Sequence, residues 1–130
     1  YEIRQMLKQG QGGSIINISS VSGIRPQPGT PVYVAAKHGV IGLTKSAAMD
    51  YSPQNIRVNA VAPGAVDTPM LQEALEHFGL DPVAYAKQLS MLGRFAQAAE
   101  VAETNLWLAS DSSSYVTGAI ICADGGYTAM

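Results

Sequence analysis

"IRVNAVAPG" (residues 56–64) is a mostly apolar run, β-branched at Ile56, Val58 and Val61 and interrupted only by Arg57 and Asn59, that stops at a Pro-Gly turn. A short apolar run bounded by turn residues predicts a strand covered on both faces, as strands of parallel sheets are. Two other segments share its character. "SIINIS" (14–19) follows the glycines of 10–13, and "GAIICADGG" (118–126) closes on a glycine turn. Between them lie helical patterns. Thr30 before Pro31 predicts a helix start, with a hydroxyl N-cap and a proline in the first turn. That helix runs to about Asp50 and must stop before Pro53. Its Ala35, Ala36, Gly39 and Gly42 predict close approach to a sheet or a second helix, since each helical glycine costs about 1 kcal/mol against alanine. Helical stretches follow at Met70–Phe78 and Pro82–Leu89, and then an amphipathic segment over Ala98–Ala109 with Val101, Ala102, Leu106 and Ala109 on one side. Strands and helices in alternation predict an α/β architecture: parallel strands, right-handed crossovers and helices on both faces.

Composition narrows the function classes. The chain has 130 residues, 47% hydrophobic and 14% charged, which reads as one soluble globular unit. A net charge of −2 argues against nucleic-acid and anionic-membrane binding, because no basic stripe is available for phosphates. No stretch is apolar for long enough to predict a membrane span. The single cysteine, Cys122, excludes an internal disulfide and a Cys-rich zinc site, and fits a reducing compartment such as the cytoplasm. The opening "YEIRQMLKQG" has no initiator methionine and spaces Ile3, Met6 and Leu7 as a helix does. It reads as the tail of a helix, and the sequence is expected to be a fragment.

In an open α/β sheet, ligands bind beyond the carboxyl ends of the strands. Ser19 and Ser20 end the first strand, and Pro63–Gly64 end the second, with Asp67 and Thr68 just beyond. Tyr33 and Lys37 lie one turn apart in the opening turns of the helix between them. Of the six tyrosines, only Tyr33 has a lysine four residues on. At an effective dielectric near 20, a unit charge about 5 Å away contributes about 3 kcal/mol, or roughly two pKa units. A phenol so placed is expected to move toward the range where general acid–base transfer works near neutral pH. A serine hydroxyl beside it would hold a substrate oxygen on which charge develops. The chemistry implied is proton transfer at an alcohol or carbonyl oxygen.

These segments, "INISSVSG", "YVAAKHGVIGLTK", "IRVNAVAPGAVDT" and "LASDSSSYVTGAIICADGG", resemble in order the carboxyl-terminal portion of a short-form short-chain dehydrogenase/reductase. The resemblance covers nearly the whole chain. It implies a Rossmann-like doubly wound parallel sheet of which the last three strands and their helices are present. It implies an oxidoreductase that moves a hydride between NAD or NADP and an alcohol or carbonyl substrate. Tyr33 would be the general acid/base, and Lys37 would hold the nicotinamide ribose and lower the tyrosine pKa. The family's catalytic serine stands about thirteen residues before the tyrosine, which selects Ser20 over Ser19. Pro63, Gly64, Val66 and Thr68 match the segment bordering the nicotinamide, with Thr68 and the Val66 backbone near its carboxamide. Residues 69–95 correspond to the substrate lid, with Met70, Leu71, Leu75, Phe78, Tyr85 and Met91 suited to a modest apolar substrate. The helices at 31–50 and 1–8 resemble dimer-forming helices, and the last strand a second interface, so a homodimer or homotetramer is implied.

The family's Gly-rich turn, its Asn-Asn-Ala-Gly segment and its helix asparagine have no counterpart in these residues. "GQGG" at 10–13 precedes a strand, so it does not supply the Gly-rich turn. The 130 residues alone are therefore expected to bind a dinucleotide poorly and to show no turnover. The determinant of NAD against NADP falls in the same missing segment. Two other readings fit the Tyr/Lys pair: a nucleotide-sugar epimerase or dehydratase, and a truncated or degenerate member acting as a non-catalytic interaction module. Among the remaining residues, His38 is expected at a surface or interface. His77, with Glu73 and Glu76, belongs to a solvated helix face, so no metal site is expected. Trp107 is expected in packing, Cys122 in a strand and inert, and Asp124 as the organiser of the Gly125–Gly126 turn.

Overall fold

The computed structural model describes residues 1–130. Strands β1 (Gly13–Ile18), β2 (Ile56–Pro63) and β3 (Ile120–Ala123) form one parallel sheet in the order β1-β2-β3. Its register runs from Gly13 opposite Ile56 to Pro63 opposite Ala123. Helices α1 (Glu2–Gln9), α2 (Pro31–Tyr51), α3 (Pro69–Phe78), α4 (Pro82–Leu89) and α5 (Ala98–Ala109) complete the fold. No helix is long and apolar enough to cross a membrane.

The period of two along each strand sorts its side chains between two helix layers. On one face Ile15, Ile56 and Val58 bury against Ala47 and Ala48 of α2, with Ile3 and Met6 of α1 packed at the side. Asn17 on the same face donates to Thr44 of α2 at 3.0 Å, and fully buried Thr44 passes its own proton to the Val40 carbonyl. The other face meets α5. Ser14 and Arg57 both donate to the Leu108 carbonyl in the last turn of α5, at 2.8 and 3.0 Å. Arg57 also reaches the Ser110 and Val116 carbonyls and the Ser113 hydroxyl. One side chain of β2 thus satisfies the carbonyls that a helix end leaves without partners. Fully buried Asn59 donates to the Val116 carbonyl and accepts from the Ala119 amide, so the middle of the sheet carries no orphaned amide group there. Helices on both faces of a parallel sheet are the doubly wound arrangement expected.

Three local expectations are corrected. Thr30 precedes α2, but its hydroxyl donates back to the Gln27 carbonyl and caps nothing in the helix. In α5 the side turned to the sheet is Val101, Thr104, Asn105 and Leu108, while Ala102, Leu106 and Ala109 are exposed. Thr104 and Asn105 each donate to a carbonyl one turn earlier in their own helix, although the Asn105 Oδ1 stays buried without a partner. In α2, Ala35, Ala36, Gly39 and Gly42 do not approach the sheet. They are exposed, and nothing lies within 4 Å of a side chain built at either glycine.

Candidate active site

At the carboxyl end of β1 the two serines part company. Buried Ser19 donates to the Lys37 carbonyl at 2.9 Å, tying the strand end to α2. Gly23 lies against the same carbonyl, where a Cβ would come within 2.7 Å. Ser20 instead caps the short 3-10 turn Val21–Gly23, accepting from the Ser22 amide at 3.1 Å. Its own hydroxyl proton has no acceptor in the chain, and Ser20 lines a cavity of about 470 Å³.

Tyr33 lines that cavity from α2, and Gly64, Val66 and Thr68 line it from the turn after β2. Lys37 stands behind Tyr33. Its ammonium nitrogen is 5.5 Å from the ring centroid and donates to the Ile18 carbonyl at 3.1 Å. An ammonium carries three donors, so two remain free. Pro63, the last residue of β2, also stays behind the lining, and Gly64 makes the turn possible. A Cβ there would come within 2.8 Å of the Asp124 Cα, so only glycine lets the turns after β2 and β3 pass. The structure thus brings Ser20, Tyr33, Gly64, Val66 and Thr68 to one cavity, while Lys37, next to the Tyr33 ring, and Pro63 do not line it.

Between Gly64 and Thr68 the backbone is left with free donors. Neither the Ala65 nor the Val66 amide finds an acceptor in the chain, and both residues line the cavity. Thr68 caps α3, accepting from the Leu71 amide at 3.4 Å while donating to the Val66 carbonyl at 3.3 Å. Beyond Thr68 the chain leaves through α3 and α4 and returns at Ala96, which pairs with Val66 as an isolated parallel bridge. The bridge is held by Ala96 N to the Ala65 carbonyl and by Asp67 N to the Ala96 carbonyl.

The excursion supplies Met70, Leu71, Ala74, Tyr85 and Leu89 to the cavity. Of the other apolar residues expected to face a substrate, Leu75 is buried away from it. Phe78 is exposed and stands edge-on to His77, with ring centroids 4.8 Å apart. Met91 is exposed and packs under Gly126. Sequence reasoning missed eight lining residues, among them Val21, Gln27, Ala65 and Tyr127. Ala65 carried a signal, lying inside the Pro-Gly turn segment; Tyr127 carried none beyond following two glycines.

Asp124 organises the turn after β3 as expected, accepting from the Gly126 and Thr128 amides and the Thr128 hydroxyl at 2.9, 2.9 and 2.7 Å. Burial pushes its pKa up, but these donors outweigh burial and hold the carboxyl below its ordinary value. A smaller cavity of about 290 Å³ shares Ala65 and includes Arg94, Glu100 and Cys122. Cys122 lies in β3 but is exposed, so burial does not shield it. Glu100 accepts two charge-assisted bonds, from Arg94 at 2.7 and 2.8 Å, and one from the Gln97 amide at the start of α5. The Arg94 hydrogen bond is the main cause holding the carboxyl down at about 2, and it raises Arg94 in return. Trp107 and His38 are exposed on α5 and α2.

The family model described as enoyl-(acyl carrier protein) reductase matches residues 1–128. The 2,5-dichloro-2,5-cyclohexadiene-1,4-diol dehydrogenase of Sphingobium indicum is 48% identical over 131 aligned residues, spanning 100% of this chain and 52% of that protein. The short chain dehydrogenase/reductase astE of Aspergillus oryzae is 49% identical over 126 residues, 97% of this chain and 48% of its own length. Among solved structures, 4-hydroxyisoleucine dehydrogenase complexed with NADH superposes with a TM-score of 0.90 at 34% identity, over 98% of this chain and 52% of that one. ElxO with NADP bound superposes equally, at 32% identity over 100% of this chain and 52% of its own. The chain therefore spans about half the length of the relatives it matches. With the Tyr33–Lys37 pair, Ser20 and the turn after β2 at one end of a parallel sheet, the chain belongs to the short-chain dehydrogenase/reductase family.

Proposed function

We propose that the whole protein moves a hydride between NAD or NADP and a secondary alcohol or its ketone, with Tyr33 as general acid/base. The observation that carries this reading is the convergence of the Tyr33 phenol and the unspent Ser20 hydroxyl on one cavity, with the Lys37 ammonium fixed behind the phenol. The residues present fit a nicotinamide. The free Ala65 and Val66 amides match a carboxamide acceptor, and the two spare Lys37 donors match ribose hydroxyls. Bound there, the dinucleotide would accept or supply the hydride.

The chain's own residues handle the proton. In the oxidising direction Tyr33 as phenolate takes the proton of the substrate hydroxyl and becomes the phenol as the carbon–hydrogen bond breaks; in the reducing direction the phenol gives its proton to the carbonyl oxygen and is left as phenolate. Ser20 donates to the same oxygen and holds it against Tyr33. Lys37, anchored by the Ile18 carbonyl, keeps a positive charge beside the developing phenolate.

No charged side chain lines the cavity, and most of its wall is apolar. That favours an uncharged, compact substrate, and a hydroxylated or oxidised six-membered carbon ring fits. The names of two relatives, the cyclohexadienediol dehydrogenase above and cyclohexanol dehydrogenase of Acinetobacter, agree with this class. Residues 69–95 act as the lid over that substrate, and α2, with exposed Val32, Leu43 and Met49 beside Gly39 and Gly42, is the face for a second copy of the protein.

The test is Tyr33→Phe in the full-length protein. Turnover of a cyclic alcohol is expected to fall about 10²–10⁴-fold while dinucleotide affinity, read by fluorescence titration, stays within about threefold. A variant that keeps most of its turnover would remove Tyr33 from the chemistry. The 130 residues on their own are expected to give no turnover.

A further inference from the structure

Beside Tyr33 and Tyr85, the substrate cavity has a third aromatic residue that comes from the far end of the chain. Tyr127 follows the turn after β3 and lines the cavity together with Ser20 and Tyr33. Asp124 fixes it from below: the Tyr127 amide donates to the Asp124 carbonyl at 3.2 Å, and the Asp124 carboxylate holds Gly126 and Thr128 on either side. Arg25 fixes it from outside. The guanidinium carbon lies 5.1 Å from the Tyr127 ring centroid, and Nη1 donates to the Tyr127 and Met130 carbonyls at 3.3 and 3.2 Å. Arg25 does not line the cavity. Its amide donates to the Val21 carbonyl at 2.8 Å, in the turn that Ser20 caps. Arg25 therefore joins the turn that carries Ser20 to the turn that carries Tyr127, more than 100 residues later.

We propose that Tyr127 is the size-determining wall of the substrate cavity and that Arg25 is the positioning residue that holds it there. The inference rests on the alcohol/ketone reading above. Met70, Leu71, Tyr85 and Leu89 come from helices of the 67–95 excursion, whereas Tyr127 is clamped by a cation on its ring and a carboxylate-ordered turn beneath it. A substrate that outgrows the cavity meets Tyr127 as the wall that yields least. Removing the ring opens space for bulk, and removing the cation lets the ring swing.

The experiment uses the full-length protein, with cyclohexanol and the two-ring decahydro-2-naphthol as probes and NAD or NADP as oxidant. Tyr127→Ala is expected to raise the two-ring to one-ring ratio of kcat/KM about tenfold, with cyclohexanol losing through KM and its kcat within about threefold. Arg25→Met is expected to move the ratio the same way by about threefold, and Arg25→Lys, which keeps the charge but loses the planar stack, to move it no further than Arg25→Met does. Tyr127→Phe, which keeps the ring, should leave it unchanged. An unchanged ratio in both Tyr127→Ala and Arg25→Met, with thermal midpoints matching the parent, would overturn the proposal. If Arg25→Met fails to fold, the Tyr127→Ala ratio alone decides. A parent that oxidises neither alcohol defeats the reaction reading, and this inference with it; a parent that oxidises cyclohexanol isolates the role of Tyr127.

Discussion

The two ends of the sheet treat their polar groups in opposite ways. At the amino end of β2, Arg57 uses both terminal nitrogens on four acceptors, and Asn59 a little further along satisfies both ends of its amide. At the carboxyl end, the Ser20 hydroxyl, the Ala65 and Val66 amides and two Lys37 donors are left without partners in the chain. Satisfied groups lock the loops and the end of α5 in place; the unsatisfied ones are the donors that the proposed function assigns to a ligand. Ser19 and Ser20 show the same contrast within two adjacent residues, one bonded inward to Lys37 and the other open to the cavity.

That contrast can be broken at chosen points. The largest effect is expected from Ser20→Ala, which should lower kcat/KM about 10²–10³-fold with an unfolding midpoint close to the parent's, read by steady-state kinetics and calorimetry. Arg57→Met should do the reverse: urea unfolding should show a loss of about 3 kcal/mol, because several acceptors lose a charged donor, while kcat stays within about twofold. Ser19→Ala is expected to cost about 1–2 kcal/mol and leave the pH–rate profile unmoved. A Ser19→Ala enzyme as slow as Ser20→Ala would mean that the two hydroxyls share one role.

The smallest effect concerns Glu100, whose carboxyl is held down at about 2 by Arg94 and the Gln97 amide. A depressed carboxylate stabilises the fold above its ordinary value of 4.5, and that contribution fades as pH falls toward 2. Both partners are about half exposed, so the effect is small and screened by salt. Thermal melts of Glu100→Gln and the parent should differ at pH 6 and converge near pH 2. Curves that run parallel across that range would show the pair to be idle.

The strands were legible because burial on both faces leaves a mostly apolar, β-branched signature, as in "IRVNAVAPG" with only Arg57 and Asn59 polar, and turn residues mark its ends. The Tyr33–Lys37 pair was legible because one helical turn fixes its geometry regardless of what surrounds it. The inward side of α5 was not. Leu106 and Leu108 are equally apolar, and only the packing on Ser14 and Arg57 shows that Leu108 is the one buried. Polar Thr104 and Asn105 disguised the inward stripe by bonding to their own helix. Tyr127 stayed hidden for a different reason. Its place in the cavity depends on a contact with Arg25 across most of the chain, which no local pattern encodes.

The parallel bridge between Val66 and Ala96 makes the segment it encloses an exchangeable cassette. Both stems are pinned a strand's spacing apart, and beyond them the insert touches the strand ends through Ser90 and Met91, which bond Gly125 and pack under Gly126 in the turn after β3. Doubling the length of a flexible closed loop costs only about 0.6 kcal/mol. Descendants of one ancestral chain could therefore trade helices α3 and α4 for longer, shorter or differently shaped inserts while Ser20, Tyr33 and Lys37 stay where they are. On the proposed function, diversification of substrate range would then be a matter of splicing between those stems while keeping the Ser90–Met91 contact, with the proton-handling residues unchanged.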